Sequence, residues 1–204
     1  TLVKLLSGIV RPDGGTMRLD GRPLAPNGPA EAQAAGITTV FQEVLIAPDR
    51  SVTDNVLMGV DGLFRRTIPR ARRRDEAMAI LEPLSQTPVS PDMAAGLLPL
   101  ATQQLVVLAR ALYRRPRVLI LDEVTAALDF GDRDAVFAAM RALSAGGVLV
   151  IFITHRMDEV MDLSDDVSVL RAGRSVATEP VGAVDPAGLL DLMAPEMMEP
   201  STHG

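Results

Sequence analysis

A chain of 204 residues that is 48% hydrophobic can bury one sizeable core, so a single domain with an inserted subdomain is the expected organisation. Its formal charge of −6 argues against a general nucleic-acid binder, which carries a basic surplus to neutralise phosphates, and the lack of cysteine excludes disulfides and cysteine-ligated metals. No apolar run approaches the roughly 18 to 20 residues of a membrane span; the longest strongly apolar stretch is Val148 to Ile153.

In chain order, TLVKLLSG reads as a helix already under way at its first residue, with Leu2, Leu5 and Leu6 as its apolar face and Gly8 near its end. The opening lacks the basic head and small-residue cleavage site of a secretory signal, so nothing in it directs the chain out of the cytosol. PDGG turns into a short strand, TMRLDG, and PAEAQAAG is helix-like. The alternating, β-branched ITTVFQ, residues 37 to 42, is expected to be a strand ending on Gln42. The pattern then becomes helical, at Thr53 to Met58, near 70 to 84, and in TQQLVVLARALYR, which marks an inserted helical subdomain over about residues 45–114. Within it RRTIPRARRR, residues 65 to 74, gathers six arginines and is read as a solvated helix face, with anionic lipid, nucleic acid or a partner protein as the alternative contact.

Regular alternation resumes with VLILD, the helix DRDAVFAAMRALSA closed by Gly146 and Gly147, VLVIFIT, a helix around MDEVMDL, and the hairpin DVSVLRAGRSVAT. A proline-led helix, DPAGLLDLM, precedes the low-order tail APEMMEPSTHG. Strands alternating with helices predict an α/β fold with a mostly parallel sheet covered on both faces, and VLILD and VLVIFIT have the near-continuous apolar character of buried strands. Ligands of such sheets bind beyond the carboxyl ends of the strands, where Gln42, Asp122, Glu123 and His155 all fall.

The stretch RVLILDEVTAALD raises the chemical question, because an apolar strand ends in two adjacent carboxylates and a small-residue turn closes on Asp129. Taken singly, each polar residue reads equally as a helix cap or a solvated turn, and Asp129 before FGDRDAV has the position of a cap. Together they fit phosphoryl transfer. A magnesium-bound triphosphate needs a carboxylate near its metal, a second acid for the attacking water, and donors for the outer phosphate oxygens.

Five segments in order carry a family resemblance: TLVKLLSGIVRPDGGTMRLDG, FQE, LLPLATQQLVVLARAL, VLILDEVTAALD and ITHR. They resemble the helix and hairpin after the phosphate loop, the Q-loop, the signature region, the Walker B motif with D-loop, and the switch histidine of the nucleotide-binding domain of an ABC transporter ATPase, over essentially the whole chain. NVLMG, GLFRRTIPR, QQLVVLARAL, THRMDEV and LLDLM are similar to the amino-terminal ATPase half of tandem carbohydrate importers. The resemblance implies a RecA-like P-loop NTPase core with an inserted helical subdomain, ATP as substrate with Mg2+, and ATP hydrolysis coupled to import of a sugar or similar small polar solute. It implies that Asp122 holds the magnesium largely through water, that Gln42 senses it, that Glu123 polarises the attacking water and that His155 contacts the γ-phosphate. Asp129 acts across a dimer interface, and Pro99, Ala101, Thr102 and Gln103 occupy the signature positions that face the nucleotide of a second ABC ATPase domain. The further partners implied are transmembrane permease subunits and, through them, a periplasmic or extracellular solute-binding protein, with no nucleic acid, at the cytoplasmic face of the cell membrane.

The sequence departs from that family in three places. The phosphate-cradling G-x-x-x-x-G-K-[ST] loop is not in it, Lys4 reads as an ordinary helix-surface residue, and Thr1 resembles the residue just after the loop, so an N-terminally truncated copy that binds ATP poorly by itself is expected. In the signature, Pro99, Ala101 and Thr102 stand where Ser, Gly and Gln are usual, which predicts an impaired nucleotide site on the partner and a competent site around Glu123. Val124 replaces a proline and is expected to relax the turn after Glu123. A catalytically weak nucleotide-binding or interaction module is the alternative reading; a soluble ABC ATPase acting on ribosomes or DNA is disfavoured by the acidic charge.

Overall fold

The computed structural model of the chain describes residues 1–60 and 68–193, and the chain divides into two compact units, Thr1–Ile153 and Thr154–Gly204. In the first unit, helix α1 (Leu2–Leu6) is followed by the antiparallel hairpin β1 (Met17–Leu19) and β2 (Arg22–Leu24). Helix α1 buries Val3, while Leu2 is 45% exposed, so its apolar face is one residue out of step with the expected one. Val3 and Leu6 lie three apart on one helix face, and both join the cluster of Ala32, Ile37, Val118 and Ile120. Gly8, at φ +70°, lets the chain leave α1 where a Cβ would stand 2.6 Å from the Gly28 carbonyl oxygen.

Helix α2 (Pro29–Ala34) leads into β3 (Ile37–Val40), which stops two residues before Gln42. Three helices follow: α3 (Val52–Val56), capped by the Ser51 hydroxyl accepting from the Asp54 N–H at 3.0 Å; α4 (Arg70–Leu81), which tightens into a 3-10 turn at Glu82–Leu84; and α5 (Leu100–Tyr113). Three arginines of the basic stretch are used within the chain. Arg72 pairs with Glu76 at 2.5 Å, Arg74 pairs with Asp92, and Arg73, only 5% exposed, pairs with Asp54 at 2.8 Å. Arg73 therefore departs from the expected solvated face: its guanidinium joins α4 to α3 in a partly desolvated ion pair. Residues 61–67, including most of GLFRRTIPR, and the tail from 194 to 204 lie outside the described residues.

Strands β3, β4 (Val118–Asp122) and β5 (Leu149–Ile153) form a parallel sheet in the order β3-β4-β5. Central β4 is buried from Val118 to Leu121, as a strand covered on both faces requires. The same expectation fails for β5, which among the described residues pairs only with β4 and leaves Leu149 55% exposed. Side chains alternate across the sheet. Val118 and Ile120 meet the α1 side, and Phe152, the partner of Leu121, makes an edge-to-face contact at 6.2 Å with Phe137 of α6 (Phe130–Ala145).

The second unit opens with α7 (Met157–Leu163), then the hairpin β6 (Asp166–Arg171) and β7 (Arg174–Pro180), and ends its described part with α8 (Pro186–Met193). Ala172 and Gly173, both at positive φ, make the tight hairpin turn. Its core is Val160, Val169, Val181 and Leu189. Among the described residues no helix is long and apolar enough to cross a membrane.

Candidate functional site

Parallel pairing of β3 with β4, Val40 opposite Leu121, brings the ends of both strands to one edge of the sheet. Gln42 emerges from one and Asp122 and Glu123 from the other, and the Gln42 Nε2 donates to Glu123 Oε2 at 3.1 Å. Glu123 stands at φ +52°, a left-handed backbone that costs a residue with a Cβ about 1–2 kcal/mol. Its N–H donates to the Ile153 carbonyl at 3.0 Å, and the next two residues, Val124 and Thr125, are each 2% exposed. Buried neighbours on one side and a ladder bond on the other hold that conformation. Val124 itself is buried, and the positive φ of the turn falls on Glu123.

Burial, followed by the negative charge of Glu123, pushes the Asp122 carboxyl above the ordinary aspartate range. Two adjacent carboxylates, one of them resisting ionisation, form a hard-oxygen donor set whose energy falls when a divalent cation arrives, and Gln42 adds an amide oxygen beside them. Oxygen donors of this kind suit magnesium, although among the described residues no three His, Asp or Glu side chains gather into a metal cluster, so water and phosphate would have to complete the shell.

The segment leaving Gln42 is tied to the helices. Asn55, fully buried in α3, accepts from the Ala47 N–H at 2.8 Å and donates to the carbonyls of Ala47, Arg50 and Ser51 at 3.0, 3.3 and 3.1 Å. Arg110 of α5 donates to the Leu45 carbonyl at 2.8 Å, to the Asn55 carbonyl at 2.7 Å and to Asn55 Oδ1 at 3.2 Å. Burial, and then the Arg114 guanidinium, hold Arg110 below the usual arginine range. Neither residue is among the candidates that the sequence motifs mark. The signal was an asparagine and an arginine set in apolar helical runs, VTDNVLMG and LVVLARAL, where only a satisfied polar group is tolerated.

Pro99, Ala101, Thr102 and Gln103 stand together at the start of α5. Pro99 is its N-cap and offers no side-chain cap, while its carbonyl accepts from the Gln103 N–H at 2.9 Å. Gln103, expected at a nucleotide, donates its side-chain amide to the Leu98 carbonyl at 2.8 Å. Leu97 and Leu100 on either side are 77% and 60% exposed. Asp129 caps α6: its Oδ1 accepts from the Asp132 N–H at 2.9 Å.

His155 belongs to the second unit, in the turn between Thr154 and α7, and its side chain is exposed. Thr154 Oγ1 accepts from the Arg156 N–H at 3.1 Å and donates to Glu159 Oε2 at 2.8 Å. Glu159 was not singled out from the sequence. Its only signal there was an acid in the first turn of a helix that begins just after His155.

Comparison with known proteins identifies the family and the fold. The family model described as "ABC transporter" matches residues 1–126. The chain is 41% identical over 193 residues to a ribose import ATP-binding protein of Rhizobium johnstonii, covering 95% of this chain and 38% of that protein. It is 35% identical to a putative ribose/galactose/methyl galactoside import ATP-binding protein of Agrobacterium fabrum, with the same coverage of 95% and 38%. The chain thus spans about two fifths of the length of the curated relatives it matches. Among solved structures, a nucleotide-free ATP-binding cassette from an ABC transporter superposes with a TM-score of 0.76 at 25% identity, over 94% of this chain and 81% of the other. A dimeric cassette in a post-hydrolysis state with ADP and Pi shares the fold, with a TM-score of 0.76 at 20% identity over 88% of this chain and 79% of the other.

Proposed function

The chain belongs to the ABC transporter family, and from that premise we propose that it is the ATP-binding and ATP-hydrolysing part of an importer for a sugar or similar small polar solute. The carrying observation is the Gln42–Glu123 hydrogen bond beside Asp122 at the carboxyl end of a parallel sheet. The relatives named for ribose and for ribose, galactose or methyl galactoside import support the solute class.

In this reading Asp122, largely through water, and Gln42, through its amide oxygen, hold a magnesium ion. Magnesium, when bound, neutralises charge on the outer phosphates. Glu123 orients the attacking water and accepts its proton, in a carboxylate direction fixed by Gln42 Nε2. His155 donates a hydrogen bond to the γ-phosphate. Asp129 and the segment Pro99–Gln103 face a second ABC ATPase domain, a pairing supported by the dimeric cassette of the same fold. The helical segment of about residues 45–114 acts as a subdomain that passes the movement of Gln42, through Asn55 and Arg110, to membrane-spanning permease subunits. A solute-binding protein outside the membrane engages those subunits, and the chain lies against the cytoplasmic face of the membrane.

The test is Mg-ATP turnover by the assembled importer in which this chain is preceded by a G-x-x-x-x-G-K-[ST] phosphate loop and paired with a second ABC ATPase domain. Glu123→Gln is expected to lower it by about 10²- to 10⁴-fold, the worth of a positioned proton acceptor. Equal turnover in variant and wild type overturns the reading. A second reading, a nucleotide-binding module with little turnover, is favoured by Pro99 and Ala101 in the signature, and turnover at background in the wild type would establish it.

A further inference from the structure

We infer that Glu159 is a positioning residue for His155. The inference rests on the proposed ATPase reading for its consequence, but not for its geometry.

Glu159 is 1% exposed, and a buried carboxylate survives only where its neighbours compensate it. Both residues flanking His155 supply that compensation. Thr154 Oγ1 donates to Glu159 Oε2 at 2.8 Å, and the Arg156 guanidinium Nε lies 3.3 Å from Glu159 Oε1 as an ion pair. The Thr154 hydroxyl is also an acceptor, receiving the Arg156 N–H at 3.1 Å. Arg156 is the N-cap of α7 and Glu159 its third residue. In an ordinary capping box the acid at that place would take the N-cap N–H directly. Here a hydroxyl is inserted, so the chain of bonds runs from the Arg156 N–H to Thr154 to Glu159, each polarising the next.

This relay brackets one residue. His155 itself is exposed, while the side chains before and after it, the Thr154 hydroxyl and the Arg156 guanidinium, are both held by a single buried acid at the head of α7. An exposed imidazole on an unanchored turn would sample many directions, and a hydrogen bond to a phosphate oxygen demands one. Helix capping alone would need neither the hydroxyl relay nor a guanidinium on the second oxygen. The shape of the turn, set by Glu159, determines where the His155 ring can reach.

Two measurements on Glu159→Gln, Thr154→Val and Thr154→Ser test this. The first is amide hydrogen exchange at Arg156 in this chain, which needs no nucleotide. Glu159→Gln and Thr154→Val are expected to speed it about two- to tenfold, as weakening or loss of a hydrogen bond to a neutral hydroxyl does, and Thr154→Ser is expected to leave it unchanged. The second is ATP turnover in the assembled importer. Glu159→Gln and Thr154→Val are expected to lower kcat about 10²-fold with little change in KM for ATP, and Thr154→Ser to retain it, the split expected when a group is misplaced and ground-state binding is intact. Unchanged exchange at Arg156, or faster exchange with unchanged kcat, overturns the inference. So does a Thr154→Ser variant that behaves as Thr154→Val. If Glu159→Gln does not fold, the two Thr154 variants decide alone. A wild-type importer without turnover sinks the ATPase reading instead, and the exchange measurement then decides for or against the anchoring of the His155 turn.

Discussion

Gln42 and Glu123 are hydrogen-bonded through Nε2 and Oε2 at 3.1 Å, so the residue proposed to sense the metal is a direct partner of the one proposed to activate water. An amide has two ends. With its nitrogen on Glu123, the oxygen of Gln42 remains as the end a cation prefers, and one side chain would then tie a bound metal to the carboxylate proposed to activate water. Gln42→Ala is expected to lower turnover roughly 10- to 100-fold, the worth of a hydrogen bond to a charged group. Because the pair is exposed, thermal unfolding is expected to move by no more than about 0.5 kcal/mol. Parallel turnover and denaturation measurements check both halves, and a loss of stability equal to the loss of turnover would contradict the assignment.

Asp122 carries a pH signature. Its carboxyl is pushed above its ordinary range by burial and then by Glu123, so the folded chain binds its proton more tightly than the unfolded chain does. Such a group contributes its full stability below the unfolded value, near 3.9, and that contribution is lost as pH rises through the raised folded value. At neutral pH the ionised Asp122 is therefore a liability. Asp122→Asn is expected to raise the melting temperature of the chain at pH 7, with the advantage shrinking as pH falls through the carboxylate range. Added Mg2+ is expected to stabilise the wild type and not the variant. Melting curves against pH, with and without Mg2+, decide it; a variant less stable than wild type at pH 7 sinks the argument.

How much of this was legible in the sequence depends on whether a residue acts through a local pattern or a distant partner. VLILD announced a buried strand ending in acids because apolar continuity and strand length are local properties, and β4 is that strand. VLVIFIT looked the same and is half-exposed, because burial of a strand depends on what pairs beside it, which its own letters do not carry. Asp129 as a cap was readable from the three residues after it. Arg73 was misread, since the acid that draws it inward, Asp54, lies 19 residues earlier on another helix. The left-handed backbone of Glu123 had no signal at all, because neither glutamate nor valine marks a positive φ.

Asn55 and Arg110 form the joint between the segment after Gln42 and the helices. Asn55→Ala would strand the Ala47 N–H and remove the donor to three carbonyls, and is expected to cost at least about 3 kcal/mol. Arg110→Lys keeps the charge and loses the fork that spans the Leu45 and Asn55 carbonyls, an expected loss of about 1–3 kcal/mol. Urea unfolding measures both. The double variant is expected to fall short of the sum, because the two side chains share the Asn55 Oδ1 contact.

Asp129 has one role the structure shows and one proposed for it, and two substitutions separate them. Asp129→Ala removes the α6 cap and is expected to cost about 0.5–2 kcal/mol, whereas Asp129→Asn keeps an oxygen for the Asp132 N–H and is expected to be nearly neutral in stability. If Asp129 also acts across a dimer, Asp129→Asn lowers turnover of the assembled importer without lowering the melting temperature. Unchanged turnover in Asp129→Asn leaves the cap as its whole function.

The signature segment allows a test in which stability and activity part company. Pro99 opens α5 without a side-chain cap, so Pro99→Ser would add a cap of about 1 kcal/mol while surrendering about 0.4–1 kcal/mol of proline's restriction of the unfolded chain. These opposing terms nearly cancel, and the melting temperature is expected to change little. Chemistry responds differently. A serine hydroxyl at position 99 and a glycine at position 101 would offer a phosphate a donor and a close backbone approach, which Pro99 and Ala101 deny it. Since the signature is proposed to face the nucleotide of the second domain, Pro99→Ser with Ala101→Gly is expected to raise turnover at the partner's site alone, and the site containing Glu123 to keep its rate. Single-site turnover, read with the opposite domain silenced by substitution of its own catalytic glutamate, separates the two. An equal gain at both sites would mean that Pro99 and Ala101 act through the fold of α5 and not by touching the partner's nucleotide.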